Sequence, residues 1–194
     1  MCSMKKYLFV ITNSVIDQEY SSHSAYGAYL VLNDAVEAMH QSIYSECEDY
    51  KELWEDDGEG DEYIEAEYRK WIEKQYVNAE RTEWTFTDSE TIEECNFKVQ
   101  MVEADLEKLD PKRIFAVLHT RVDGVTNATK VLAVFDSRLK AIKSLEAFLA
   151  CGMRVEAGTS VSEGYLSPAH DCWQGNDDES IENFLSVEEI ECEW

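Results

Sequence analysis

The residues best able to do chemistry are carboxylates. Between Glu46 and Glu67 twelve acids stand in twenty-two residues, with Lys51 as the one base among them. The densest part holds Glu48, Asp49, Glu52, Glu55, Asp56, Asp57, Glu59, Asp61 and Glu62, with Trp54 in their midst. Carboxylates at this density can hold a cation or meet a surface of Lys and Arg. The cation reading is weak: with Asp56 at position one of a calcium loop, Gly58 and Gly60 fall on ligand positions three and five. The second reading has a physical parallel. As one helix, residues 46–67 would span roughly 33 Å, a length over which one nucleic-acid strand carries about 10 phosphates. Aromatics share the stretch: Tyr44, Tyr50, Trp54, Tyr63, Tyr68 and Trp71. Tyr68 and Trp71 read as core; Tyr50, Trp54 and Tyr63 are the candidate anchors, since an aromatic beside a carboxylate suits an Arg- or Lys-lined groove. The competing reading is that the acids only solubilise the chain.

Other chemistry is sparse. No phosphate-binding glycine loop, HExxH or GxSxG is present. His23, His40, His119 and His170 are scattered. His170-Asp171-Cys172 invites a nucleophile-and-base reading, but neighbours in a loop rarely align for it, and His119, at the end of an apolar run, reads as structural. The nearest two of the six cysteines, Cys172 and Cys192, lie 20 residues apart. No CxxC pair therefore offers a zinc or redox site, and the cysteines read as reduced, mostly buried, small apolar residues. The sequence implies no catalytic residue, no metal and no cofactor.

The whole chain shares the acidity. Its 194 residues carry 41 acids against 17 Lys and Arg, a net charge of −24. Such a molecule is repelled by nucleic acid and by anionic lipid. The five apolar residues Tyr7–Ile11 are too few for a signal core or a membrane span, so the expectation is a soluble cytoplasmic protein. Residues 1–109 hold 26 acids and nine bases, and residues 110–194 hold 15 and eight.

The elements that must position these groups come from an internal repeat. Lys5–Ile11 aligns with Lys112–Leu118, Ala28–Met39 with Val131–Ile142, and Val99–Leu106 with Val187–Trp194. Each half reads as strand, turn, strand, helix and final strand, with strands near Tyr7–Thr12, Tyr26–Leu32 and Phe97–Ala104, and near Ile114–His119, Lys130–Phe135 and Leu185–Cys192. Helices are predicted over 34–45 and 138–150, capped by Asn33 or Asp34 (with Glu37) and by Asp136-Ser137, the second stopping at Gly152. The fold class is α+β: two divergent ββαβ units, 1–109 and 110–194, with mainly antiparallel sheets, the first carrying an acidic helical insertion at about 45–80. Trp84–Thr87 is a candidate extra strand, and Gly158–Ser180 reads as loop.

A short strand–turn–strand–helix unit with an acidic final strand resembles small accessory proteins of bacteriophages and prophages. The resemblance implies a class in which acidic inhibitors of host nucleic-acid-binding defence proteins recur, acting in the host cytoplasm; it transfers no functional residue. The expected function is a non-enzymatic inhibitor that docks on the basic nucleic-acid groove of a CRISPR effector or restriction enzyme without binding nucleic acid or membrane itself. The alternatives are an assembly module whose apolar strand edges form a homodimer, and an enzyme without a recognisable motif.

Overall fold

A strand that is apolar at every position has no face to offer water, so both of its faces must be covered. Leu8–Ile11 and Ile114–Leu118 are such runs, and both lie in central strands of the computed structural model, which describes residues 6–16, 21–48, 50–51, 60–88, 93–122, 127–151, 154–155, 159–160, 163–176 and 181–192. The first half runs β1 (Lys6–Ile16), β2 (Ser21–Tyr29), α1 (Leu32–Glu46), α2 (Asp61–Lys74), β3 (Glu83–Asp88) and β4 (Glu93–Ala104). The second runs β5 (Arg113–Val122), β6 (Asn127–Phe135), α3 (Arg138–Ala150), β7 (Arg154–Val155), β8 (Thr159–Ser160), β9 (Glu163–Leu166), β10 (Cys172–Asn176) and β11 (Glu182–Glu191). Strand order is β2-β1-β4-β3 in one sheet and β6-β5-β11-β10-β9 in the other, with every pairing antiparallel. The fold is α+β.

Both units share a ββα start and two adjacent later strands, β4 with β3 and β11 with β10, and the second unit adds three more short strands. The candidate strand Trp84–Thr87 is present as β3, whereas the stretch from Gly158 to Ser180, expected to be loop, supplies β8, β9 and β10. β10 hides in the sequence because it turns only Trp173 and Gly175 inward, while Cys172, Gln174 and Asn176 face solvent. Its composition is that of a turn. The cap of α1 moves to Val31, while Ser137 caps α3 as expected, neither with a side-chain cap bond. Asp34 therefore falls inside the first turn, where its charge complements the helix dipole, and Asp136 is bonded to Lys140 at 2.6 Å. Gly152 lies outside the described residues.

The two units correspond position by position. Phe9 opposes Tyr29 as Phe115 opposes Phe135, which sets an offset of 106 residues. The same offset carries the buried Ala35 and Met39 of α1 onto the buried Ala141 and Leu145 of α3. In the last strands Ile11 opposes Val99 and Val117 opposes Val187. Trp84, opposite Phe97, then corresponds to Trp173, opposite Leu185. Against this register the alignment of Lys5–Ile11 slips by one residue and that of Ala28–Met39 by three, while the pairing of Val99 with Val187 holds. An unbroken apolar run scores alike when shifted by one place, whereas in a sheet that shift turns every side chain to the other face. The β-bulges show the same one-residue difference. Gly27 is the unpaired residue in β2, with φ +66°, and Leu132 is unpaired in β6, one position earlier in the repeat.

Four layers result. α1 and α2 cover the outer face of the first sheet over Ile11, Tyr29, Trp84, Phe97 and Val99. α3 covers the outer face of the second over Phe115, Val117, Trp173, Leu185 and Val187. Between the sheets lies an aliphatic layer that includes Leu8, Val10, Ala28, Val102, Ile114, Leu118 and Ile190. β4 packs on β6 and β11 on β2, a reciprocal arrangement like an isologous dimer in one chain. Polar side chains enter this layer as well, among them buried Thr12, Ser14, Thr120 and Ser186, and Gln100 links the two sheets through one of them. Its amide donates to Thr12 Oγ1 at 2.9 Å and to the Thr129 carbonyl at 2.7 Å, and its carbonyl accepts from Val131 N–H at 3.0 Å. The side chain thus pairs with the backbone of β6, an edge strand.

Gln100→Ala should lower unfolding free energy by about 1–3 kcal/mol, because it strands the Val131 N–H and Thr129 carbonyl; urea titration reads the loss. Gly164→Ala should also destabilise, since a Cβ there meets the Trp173 ring at 2.3 Å and the Gln174 carbonyl at 2.5 Å.

Candidate functional site

The acidic stretch does not form one helix. α1 ends at Glu46 and α2 begins at Asp61. The single row of carboxylates over 46–67 is therefore replaced by the end of one helix, a connecting segment and the start of another. Like charges at helical spacing oppose a continuous helix, and Gly60 serves as N-cap of α2. Of the candidate contact residues, Asp49, Glu52, Trp54, Glu55, Asp56, Asp57 and Glu59 lie outside the described residues. Glu48, Asp61 and Glu62 are described and all exposed. Asp61 and Glu62 occupy the first turn of α2 and complement its dipole, so they have a structural use as well.

Lys51 organises what is described. Its Nζ lies 3.2 Å from Glu48 and 3.2 Å from Glu65 of α2. It also sits over the rings of Tyr44 at 5.3 Å and Tyr68 at 5.0 Å. One cation thus ties the turn after α1 to α2 through two carboxylates and two ring faces. Further along α2, Arg69 pairs with Glu65 at 2.9 Å and Lys70 with Glu67, so the helix surface alternates in sign.

Most of the aromatics are internal. Tyr68 is fully buried and donates its hydroxyl to the Tyr44 carbonyl at 2.8 Å. Tyr50, a candidate anchor, stacks on Trp71 at 5.3 Å and meets Phe86 edge-on at 4.9 Å; it packs α2 against the sheet instead of facing outward. Trp84 donates its indole N–H to the Ile72 carbonyl at the end of α2. Tyr63 is exposed, and Trp54 is outside the described residues.

The histidines and cysteines pair no nucleophile with a base among the described residues. His119 Nε2 donates to Asn183 Oδ1 at 3.0 Å, a direction fixed because the Asn183 amide itself donates to Ile181. Burial holds the His119 pKa below the usual histidine value, as it does for His23. His40 is hydrogen-bonded to Tyr76 at 2.8 Å and His170 to Glu146 at 2.6 Å. Cys172, next to His170 in the triplet, has its thiol pKa raised by desolvation and then by Asp171 and Glu188, the reverse of what activates a nucleophile. Cys192 is pushed up to about 12 by burial and by Asp110. The cysteines are less uniform than expected: Cys47 and Cys95 are buried, but Cys151 and Cys172 are exposed and Cys192 is half-buried. No group of three or more His, Cys, Asp or Glu among the described residues is placed to hold a metal, and no described helix is long and apolar enough to cross a membrane.

What sequence reading missed becomes visible once the units are in register. α1 and α3 carry opposite charge at equivalent exposed positions: Asp34 corresponds to Lys140 and Glu37 to Lys143. α1 has no Lys or Arg, while α3 has three. The outer helix α1 of the first unit thus carries acids where its counterpart carries bases. The signal was present in the sequence but required the offset of 106.

Two measurements follow. Lys51→Met keeps the aliphatic stem and removes the charge; it should lower unfolding free energy by about 1–2 kcal/mol, most at low salt, through the lost ring and carboxylate contacts. For His119, a folded-state pKa below the unfolded value means that the unfolded chain binds the proton first. Its contribution is therefore complete above the ordinary histidine pKa and is lost as pH falls through it. Between pH 7 and 5.5, His119→Gln should show a smaller pH-dependent loss of stability than the parent chain. Compared with protein-family models, with curated proteins and with solved structures, the chain matches none.

Proposed function

We propose that the chain is a non-enzymatic binding protein whose acidic first unit docks on the basic, nucleic-acid-binding surface of another protein and occludes it. The observation that carries this reading is the divergence of two otherwise equivalent outer helices. Exposed Asp34 and Glu37 stand in the first unit where exposed Lys140 and Lys143 stand in the second. One fold accepts both sets, so packing does not require the acids of α1. They share a unit with the acid-rich stretch of 46–62, and that unit holds 26 of the chain's 41 acids. Opposite potentials accelerate encounter and make binding salt-sensitive. Taken with the resemblance to phage accessory proteins, this makes a defence nuclease in the host cytoplasm, a CRISPR effector or a restriction enzyme, the target class. The inhibitor itself leaves nucleic acid unbound, because like charges repel.

The test is inhibition of DNA cleavage by purified nucleases of both kinds. Inhibition should fall steeply with salt and vanish when nucleic acid is bound first. Reversal of Asp34, Glu37, Asp61 and Glu62 to Lys should weaken it at least tenfold, while each exposed change shifts stability by only about ±0.5 kcal/mol. Inhibition that persists on the preformed nucleic-acid complex sinks the occlusion reading, and charge reversal without effect sinks the acidic-face reading.

A further inference from the structure

The repeat supplies an internal control for surface residues. At the end of the first sheet where α1 begins, Tyr7, Leu30, Val31 and Met101 are 53%, 40%, 50% and 64% exposed. Phe9 lies opposite both Met101 and Tyr29, and Tyr7 is two residues from it in β1, so Tyr7 and Met101 share the outer face of the sheet, with Leu30 and Val31 just past the end of β2. Tyr7, Phe9 and Leu30 also line a shallow cleft with Lys6 and Leu106. In the second unit the equivalent positions are Arg113, Asp136, Ser137 and Glu189. There Arg113 pairs with Glu189 at 3.1 Å, and Asp136 with Lys140 at 2.6 Å. The fold therefore accepts polar residues at all four places, three of them ion-paired, and the first unit carries apolar ones that its own core does not cover. Scattered exposed apolar residues need no explanation, but a contiguous group on a chain of net charge −24 does.

We infer that this patch is an apolar anchor that seats a protein surface presenting apolar side chains among Lys and Arg. Charge selects the occupant. Exposed Asp34, Glu103 and Glu107 lie around the patch, with Glu103 opposite Tyr7 in the sheet. A second copy would bring a net charge of −24 and the same acids against them; a basic partner meets them with opposite charge. The inference rests on the docking function proposed above and adds to it a division of labour. The acids supply steering and salt dependence, and the patch supplies a desolvated contact that salt does not screen.

The test uses the chain's own second unit as the guide. Tyr7→Arg with Met101→Glu reproduces the pair formed by Arg113 and Glu189, and leaves net charge unchanged. The probes are an amphipathic Lys/Leu helical peptide and an oligolysine of equal charge. Methyl NMR of Met101, Leu30 and Val31 reports the place of binding, and calorimetry at two salt concentrations reports affinity. The Lys/Leu peptide should shift these methyl signals and bind about tenfold tighter than oligolysine, an advantage that the double variant should abolish. Leu30→Asp with Val31→Ser should do the same, so the result does not hang on the folding of one variant. Equal binding of the Lys/Leu peptide to the parent chain and both variants overturns the anchor, as do methyl shifts confined to another surface. A parent dimer in light scattering that the variants dissociate also overturns it, by giving the patch to a second copy. The two levels separate cleanly. Binding that is steep in salt and indifferent to these substitutions removes the anchor and leaves the docking function. Binding that depends on the patch but not on salt keeps the anchor and removes the function.

Discussion

Both sheets are apolar on two faces, and neither half of the chain can cover both of its own. Each unit supplies helices for its outer face only. The inner faces of β1 and β5 carry Leu8 and Val10, and Ile114, Ala116 and Leu118, and they have only each other. This mutual cover sets the composition of the inner layer, which is aliphatic and rich in alanine. Most of the aromatic bulk lies in the outer layers, where helices can stand off to accommodate it, with Phe184 against His23 on the inner side. Among the polar side chains between the sheets, Gln100 has a clear structural use. Its amide satisfies the backbone of β6, an edge strand of its sheet among the described residues.

With the inner faces held to each other, the outer faces are where the units can differ. The buried positions of α1 and α3 stay small and apolar, as Ala35 with Ala141 and Met39 with Leu145. The exposed positions do not follow. Acids replace bases along α1, and apolar residues replace an ion pair at the end of its sheet. The first unit also gains α2, whose Tyr68, Trp71 and Ile72 extend the outer core over Trp84 and Phe97. Lys51 makes that addition compatible with so much negative charge by placing one cation between Glu48, Glu65 and two aromatic rings. The result is a pseudo-symmetric scaffold with unlike outer surfaces, an arrangement suited to meeting one partner on one side.

The acidic stretch shows how charge density alone misleads about shape. Twelve carboxylates within twenty-two residues suggest a rod of evenly spaced charge. The chain instead ends α1 at Glu46 and begins α2 at Asp61, and it neutralises part of the charge of α2 with Arg69 and Lys70. What survives as an acidic face is distributed over exposed α1, the turn after it and the first turn of α2. Whether such a face resembles a phosphate backbone depends on the spacing of its carboxylates in space, which spacing along the chain does not set.

The sequence by itself determined the α+β class, the internal repeat, the positions of α1 and α3 to within two residues and the packing of Tyr68 and Trp71 into the core. These follow from local period and composition, which act over a few residues. It did not determine register. Leu8–Ile11 and Ile114–Leu118 lack alternation, so nothing in them distinguishes one face from the other, and the repeat was legible only to within three residues. β10 was invisible because its partners, Leu166 on one side and Leu185 on the other, are what make Trp173 part of a strand. Tyr50 looked like a surface anchor because its neighbours in sequence are acids, while its neighbours in space are Trp71 and Phe86. Only the pairing of strands fixes which residues of the two units are equivalent. That equivalence makes the charge of α1 and the bare patch beside it stand out, because it shows that the same fold is stable without either.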